Sequence, residues 1–187
     1  MELFFDTDGV SRRFENMFGI KDAPKEWGWM NADHWKFLDA NPNILQNAMK
    51  HDEMLNLINS LIGRYEITML TNQCGKIDRE YHTFKFFRKN FKKGYNVIFT
   101  SNFQEKVDII TERQCFLVDD YPFMYKQNGF EKVKNKVILM ERNWNKKERN
   151  KFQFTYNDEK DIIKDLNGKI FNGFESFIYS QIKKKRK

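Results

Sequence analysis

Two aspartates, Asp6 and Asp8, follow a short apolar run near the beginning of the sequence. Residues 3–5 are large and apolar, which is typical of a strand that lies buried in a parallel sheet. Side chains two positions apart on a strand leave the same face, roughly 6–7 Å apart, and Gly9 then allows a sharp exit. Open α/β sheets bind ligands beyond this end of their strands. The pair is therefore a candidate for acid–base or metal chemistry, and the alternative is a turn with solvated carboxylates.

A second acidic pair, Asp119 and Asp120, ends the apolar run of residues 115–118. Four acids at the ends of two buried strands repel one another, and their burial is costly unless a cation or a buried partner compensates. Oxygen ligands of this kind suit Mg²⁺, which is held by one or two carboxylates together with waters and substrate phosphate. The two pairs together predict metal-assisted phosphate chemistry.

The order of these motifs resembles that of the haloacid dehalogenase (HAD) superfamily of phosphatases. Its four motifs correspond to Asp6-Thr7-Asp8-Gly9-Val10, to Thr71 after a second apolar run, to a lone lysine and to Asp119-Asp120. Within the superfamily, the chain most resembles the 5′(3′)-deoxyribonucleotidases. The likeness extends over about residues 4–145 and is strongest at the motifs.

The resemblance implies a role for each motif residue. Asp6 would be the nucleophile that attacks phosphorus, and Asp8 the general acid and base. Thr71 would hydrogen-bond the phosphoryl group, and Lys106, thirteen residues before Asp119, would supply the cation of the third motif. The implied ligands of Mg²⁺ are Asp6, Asp8 through its backbone carbonyl, Asp119 and Asp120, with the direct ligand among the last two left open.

The same resemblance assigns further residues to a small-molecule nucleotide substrate. Phe14 lies eight residues after Asp6, where the similar nucleotidases carry a phenylalanine that stacks on the base. Asn72 follows Thr71 in place of a serine, and its amide can still donate a hydrogen bond. Lys85 stands about where the family has a lysine that contacts phosphate. With Thr71 and Lys106, these residues form the implied substrate site.

The apolar pattern and the resemblance together predict an α/β, Rossmann-like HAD fold. Its central parallel sheet is expected to have about five strands flanked by helices. Residues 1–10 and 63–182 are expected to form the core, and residues 11–62 a small helical cap inserted after the first strand. Residues 183–187 would be a basic tail.

Two groups of aromatic residues carry expectations about packing. Trp27, Trp29 and Trp35 lie in the predicted cap, where aromatic side chains more often pack in a core than bind a ligand. In the helix expected over residues 78–91, an aromatic stripe is expected to face the sheet. That stripe consists of Tyr81, Phe84, Phe87 and Phe91.

The composition limits which binding partners and which cellular compartment are expected. Residues 183–187 supply five of the seven net positive charges, so we expect nucleic acid to bind at most weakly, through this tail. Cys74 and Cys115 form neither a zinc pattern nor a disulfide framework, which favours a reducing, cytoplasmic location. No apolar run approaches a membrane span, so no membrane partner is expected. The sequence leaves open whether the chain forms a homodimer.

The sequence also bears on functions other than that of a nucleotidase. The sequence has no GxxxxGK[ST] motif and no Ser or Cys nucleophile motif beside a histidine, which disfavours P-loop kinases and Ser/His or Cys/His hydrolases. The motifs specify phosphate and not its carrier. A HAD phosphatase for sugar phosphates, nucleic-acid 3′ ends or phosphoproteins therefore stays open, as does a non-catalytic nucleic-acid-binding protein on the same fold.

Overall fold

A six-stranded parallel sheet forms the centre of the structure, a computed structural model that describes residues 2–20, 22, 24–156 and 161. Its strands are β1 (Glu2–Phe5), β2 (Glu66–Asn72), β3 (Tyr95–Thr100), β4 (Cys115–Asp119), β5 (Val137–Met140) and β6 (Phe154–Tyr156). Their order across the sheet is β3-β2-β1-β4-β5-β6, and all neighbours are parallel. The predicted α/β, Rossmann-like fold is thereby confirmed, with β6 as an edge strand beyond the expected five.

Helices connect β1 to β2, β2 to β3 and β3 to β4, because parallel strands need crossover connections rather than hairpins. The helices are α1 (Ala32–Ala40), α2 (Ile44–Asn47), α3 (Asp52–Leu61), α4 (Ile77–Asn90) and α5 (Phe103–Glu112). Short 3-10 turns lie at Glu15–Phe18, Met124–Lys126, Phe130–Lys132 and Lys146–Lys151. None of the helices in these ranges has the length and apolar character needed to cross a bilayer.

Alternation along the strands divides the core into two layers. On β1, Leu3 and Phe5 pack against one layer of helices, and Phe4 packs in the opposite layer. Leu55 and Ile58 of α3 belong to the same layer as Leu3, so the last helix before β2 packs on the sheet. The division into core (1–10 and 63–182), cap and tail stays a prediction. Apart from Asp161, the closing helices expected over residues 158–166 and 174–182 and the basic tail lie outside the described residues.

The buried face of α4 differs from the predicted stripe. Phe87 and Phe91 are buried as expected, but Tyr81 is 54% exposed and Phe84 is 40% exposed. Phe86 takes the inner position instead. At 3.6 residues per turn, a position six residues before Phe87 lies about 240° around the helix, on the far side. The prediction was wrong because aromatic character was given more weight than helical phase.

Candidate active site

The two acidic pairs meet at one edge of the sheet. Phe5 at the end of β1 is level with Val118 of β4, and the Asp6 backbone N–H donates to the Val118 carbonyl at 2.9 Å. Asp6 therefore stands beside Asp119. Thr71 lies in β2, the strand on the other side of β1, and is fully buried.

The N-terminus of α5 brings Lys106 to the same edge. The Asn102 side chain accepts a hydrogen bond from the Glu105 backbone N–H at 3.0 Å, which caps the helix. This start places Lys106 in the first turn, on the buried face of α5 with Val107 and Ile110. The lysine predicted for the third motif therefore lies next to the acidic residues.

Lys106 is completely buried between two carboxylates. Its Nζ donates to Asp119 Oδ2 at 2.7 Å and lies 2.9 Å from Asp6 Oδ1. Burial lowers the pKa of its ammonium group, but the neighbouring Asp119 and Asp6 outweigh burial and hold that pKa above its ordinary value. Lys106 therefore stays charged and balances one of the buried carboxylates.

Burial makes the carboxyl groups of Asp6 and Asp120 costly to ionise. Burial raises the pKa of Asp6 to about 7, with Asp119 and Asp8 adding to the rise and Lys106 opposing it. Burial, followed by Asp6 and Asp119, also raises the pKa of Asp120 well above its ordinary value. Such shifts are typical of sites where function requires charge in a buried place.

The acid cluster fits a divalent cation. Asp6, Asp119 and Asp120 each offer a carboxylate oxygen, and these oxygens all lie within 4.8 Å of one another. Asp6 Oδ1 is buried and accepts no hydrogen bond of good geometry, although Lys106 Nζ is near. One ammonium group against three carboxylates leaves excess negative charge that a divalent cation would neutralise, and hard oxygen ligands suit Mg²⁺.

Asp8 is held by an arginine that the sequence analysis missed. Arg12 Nε donates to Asp8 Oδ1 at 2.6 Å, and Nη2 donates to Oδ2 at 2.9 Å. Arg12 is fully buried, and its Nη1 donates to the Leu45 carbonyl at 3.1 Å and to Thr83 Oγ1 at 3.2 Å. The side chain of Asp8 is therefore tied to Arg12, and Asp8 would reach a cation only through its backbone carbonyl. In the sequence, the one indication of this contact is that Arg12 follows Asp8 by four residues.

Gln73 links the proposed acid–base residue to the proposed phosphate site. Its Nε2 lies 3.3 Å from both Asp8 Oδ2 and Thr71 Oγ1. Asn72 lines a cavity at this edge of the sheet, and its side-chain oxygen accepts from the Cys74 backbone N–H at 2.9 Å, which shapes the turn after β2. Gln73 is a second residue that sequence reasoning did not assign.

A cavity of about 240 Å³ opens above these groups. Its floor includes Asp6, Asp8, Thr71 and Asp120. Its walls carry six aromatic residues, which are Phe14, Trp27, Trp29, Trp35, Phe103 and Trp144. Phe14 lies where it was expected. The three cap tryptophans pack against other rings, as expected, and they also line the cavity.

The structure does not bring Lys85 to the site. Its side chain is exposed on α4, and its Nζ lies 4.3 Å from the centroid of the Tyr81 ring. The α4 residue that lines the cavity is Arg79, which is ion-paired with Asp39 at 2.7 Å. Lys85 therefore has no place in the candidate site, and helical phase explains the difference, as it does for Tyr81.

Gly9→Ala is expected to be far more destabilising than Gly63→Ala. Both glycines have left-handed backbones, with φ of +76° and +89°, and alanine there costs about 1–2 kcal/mol. At Gly9 the added Cβ would also lie 2.0 Å from Asp120 Oδ2, whereas at Gly63 it would meet nothing within 4 Å. We expect a total loss of roughly 4 kcal/mol or more for Gly9→Ala. Equal losses in urea unfolding would contradict the close packing of Gly9 on Asp120.

Asp6→Asn is expected to stabilise the metal-free protein by an amount that depends on pH. The pKa of Asp6 is about 7 in the folded protein, and its ordinary value is 3.8. At pH values between these two, the folded wild type therefore keeps a proton on Asp6 that the unfolded chain has released. Wild-type stability therefore falls as pH rises from about 4 to about 7 and falls no further above it. Asparagine is neutral throughout.

The measurement is Tm in EDTA for both proteins. We expect the two Tm values to be close at pH 4 and to differ by several degrees at pH 8, since each kcal/mol is worth about 2–4 °C at this size. A difference that does not change with pH would show that the Asp6 carboxyl group is not perturbed by its surroundings.

Comparison with known proteins identifies the fold. Neither a protein-family model nor a curated protein sequence matches the chain. A haloacid dehalogenase-like hydrolase from Streptococcus pneumoniae matches with a TM-score of 0.55 and 11% identity, over 88% of this chain and 97% of that one. A HAD-superfamily hydrolase of subfamily IA from Geobacter sulfurreducens matches with a TM-score of 0.48 and 13% identity, over 87% and 97%. The first of these matches, together with the strand order, shows that the chain has the fold of the haloacid dehalogenase-like hydrolases.

Proposed function

We propose that the chain is a Mg²⁺-dependent phosphomonoesterase that dephosphorylates nucleoside monophosphates, with 5′- or 3′-deoxyribonucleotides as its substrates. The observation that carries the proposal is the position of Asp6. Its carboxyl group lies at the floor of an aromatic-walled cavity, next to Lys106 and to the acid cluster.

Asp6 supplies the nucleophile in this proposal. One of its carboxylate oxygens bonds to phosphorus as the ester P–O bond breaks, and the departing nucleoside oxygen takes a proton from Asp8. Asp8 then removes a proton from water, whose oxygen attacks phosphorus and releases Asp6. Covalent catalysis of this kind divides one difficult displacement into two easier ones, and the ion pair with Arg12 holds Asp8 in place between them.

The remaining groups stabilise charge on the phosphoryl oxygens. Phosphoryl transfer depends mainly on positioned charge, because little covalent chemistry is left for the protein to perform. Lys106 contributes a buried cation, and Thr71 contributes a hydroxyl that Gln73 orients. Mg²⁺ held by Asp6, Asp119 and Asp120 would neutralise further negative charge.

The aromatic walls favour a nucleotide over other phosphate esters. Every nucleobase presents a π-face that stacks on aromatic side chains with little base preference. Phe14 packs edge-on against Trp29, with ring centroids 6.3 Å apart, and its ring lies 6.5 Å from that of Trp35, so these three rings of the wall form one cluster. A nucleoside offers such a wall a π-face, which a sugar phosphate lacks.

A substrate panel with and without Mg²⁺ tests the proposal. It contains dUMP, dTMP, ribonucleotides, sugar phosphates and 3′-phosphorylated oligonucleotides. We expect turnover of nucleotides only with Mg²⁺, and kcat/KM at least about tenfold above that for sugar phosphates, equivalent to about 1.4 kcal/mol. A preference for sugar phosphates or oligonucleotide ends would assign a different phosphatase. Tight, steeply salt-dependent oligonucleotide binding without turnover would support a nucleic-acid-binding protein instead.

A further inference from the structure

The segment that follows β5 binds both acidic loops. Arg142 Nε donates to the Gly9 carbonyl at 2.6 Å. Asn145, only 1% exposed, donates through Nδ2 to the Asp120 and Met140 carbonyls, each at 2.9 Å. The Asn145 side-chain oxygen in turn accepts from the Arg142 backbone N–H at 2.7 Å. Residues 142–145 are therefore held rigidly against the loop after β1 and the end of β4.

Trp144 in this segment reaches the acid cluster directly. Its Nε1–H donates to Asp120 Oδ2 at 2.9 Å. The same carboxylate packs closely against Gly9, where an added Cβ would lie 2.0 Å from Oδ2. The orientation of the Asp120 carboxylate is thus set by Trp144 and Gly9 together.

An indole is well suited to orient a carboxylate that binds a cation. Its N–H is a donor only and carries no charge, so it directs the carboxylate without repelling a cation as a lysine would. Trp144 is half-buried and also lines the cavity. The same side chain therefore contacts both the acid cluster and the space that the substrate would occupy.

We propose that Trp144 is a positioning residue, which orients the Asp120 carboxylate for a divalent cation while its ring forms part of the cavity wall. The inference rests on the proposed function in one respect, since it requires a cation at Asp6, Asp119 and Asp120. Hydrogen bonds to metal ligands commonly contribute about 10–100-fold to metal affinity. Loss of the indole N–H should therefore weaken cation binding even when the ring volume is kept.

Three variants separate the donor from the ring. Trp144→Phe keeps an aromatic ring and removes the N–H, whereas Trp144→Gln keeps an N–H donor and removes the ring. Trp29→Phe is the matched control, because Trp29 also lines the cavity and packs against Phe14 at 6.3 Å between centroids. Circular dichroism checks that each variant is folded.

The readout is binding of Mn²⁺ alone, measured from the electron paramagnetic resonance signal of free Mn²⁺, with no substrate present. We expect Trp144→Phe to weaken Mn²⁺ binding by roughly 10–100-fold, with Trp144→Gln and Trp29→Phe close to wild type. Wild-type affinity in folded Trp144→Phe would overturn the inference, and so would equal losses in both Trp144 variants. If Trp144→Phe does not fold, Trp144→Gln provides the test. Wild-type Mn²⁺ affinity in that variant would support the inference, and loss of Mn²⁺ affinity would overturn it.

The outcomes also separate this inference from the proposed function. If the wild type binds Mn²⁺, but no phosphate ester is hydrolysed, the proposed function fails and the affinity ratios still decide the role of Trp144. If substrates are hydrolysed and Trp144→Phe binds Mn²⁺ normally, only the inference fails. Absence of Mn²⁺ binding by the wild type overturns both.

Discussion

Asp6→Asn is expected to remove the proposed phosphatase activity, lowering kcat by roughly 10⁴-fold or more, while the protein stays folded. An amide has the shape of the carboxylate and lacks its nucleophilic oxygen. The chain should keep its fold because the buried Asp6 carboxyl group is itself costly to ionise, with a pKa raised to about 7 by burial. The activity is measured on the best nucleotide of the substrate panel, with saturating Mg²⁺.

A direct test of the intermediate sharpens this prediction. Acid quenching of the wild type during turnover should trap an acid-stable, hydroxylamine-sensitive acyl phosphate, and mass spectrometry should locate it on Asp6. The Asp6→Asn protein should show none, and its Tm in EDTA should not fall below that of the wild type. Wild-type turnover by Asp6→Asn would remove Asp6 from the nucleophile role.

Lys106→Met is expected to destabilise the protein by roughly 3–5 kcal/mol, the usual cost of leaving buried charges without their partner. Lys106 contacts Asp119 at 2.7 Å and Asp6 at 2.9 Å, and all three side chains are buried. Urea unfolding at pH 8 in EDTA measures the loss. The loss should be smaller at pH 5, because Asp6, whose pKa already lies near 7, takes up a proton there and no longer needs a cation.

Two further variants serve as controls for this prediction. Lys85→Met changes an exposed lysine outside the cavity, so we expect a change within about 0.5 kcal/mol and no effect on turnover. The double variant Lys106→Met with Asp119→Asn removes a carboxylate together with its cation and should recover part of the stability. If Lys106→Met is as stable as the wild type at pH 8, Lys106 does not compensate the buried acids.

The motif residues could be located from the sequence because a parallel sheet has simple geometry. The runs at residues 3–5 and 115–118 are apolar throughout, and the carboxyl ends of parallel strands lie at a common edge. Asp6 and Asp119 were therefore expected to meet, and they do. Lys106 was expected there from the resemblance of its spacing before Asp119 to the third motif of the family, and the structure places it beside both carboxylates.

Helical phase and long-range contacts could not be obtained in the same way. Half of the buried stripe assigned to α4 was wrong, since Tyr81 and Phe84 have aromatic side chains but are exposed. Lys85, on the same helix, was assigned to phosphate from its approximate position in the sequence, but its side chain is exposed. A motif spacing specifies an approximate position, and on a helix an error of one residue turns the side chain by about 100°.

The sequence by itself determined which residue types are present for the proposed chemistry, because carboxylates, a hydroxyl and a lysine at strand ends and at a helix start are local features. Only the tertiary structure decided how those groups are held. Arg12 binds Asp8 while also contacting Thr83, 71 residues away, and Trp144 binds Asp120 from 24 residues away. Such contacts depend on how whole elements pack against one another, and local sequence patterns carry little information about that packing.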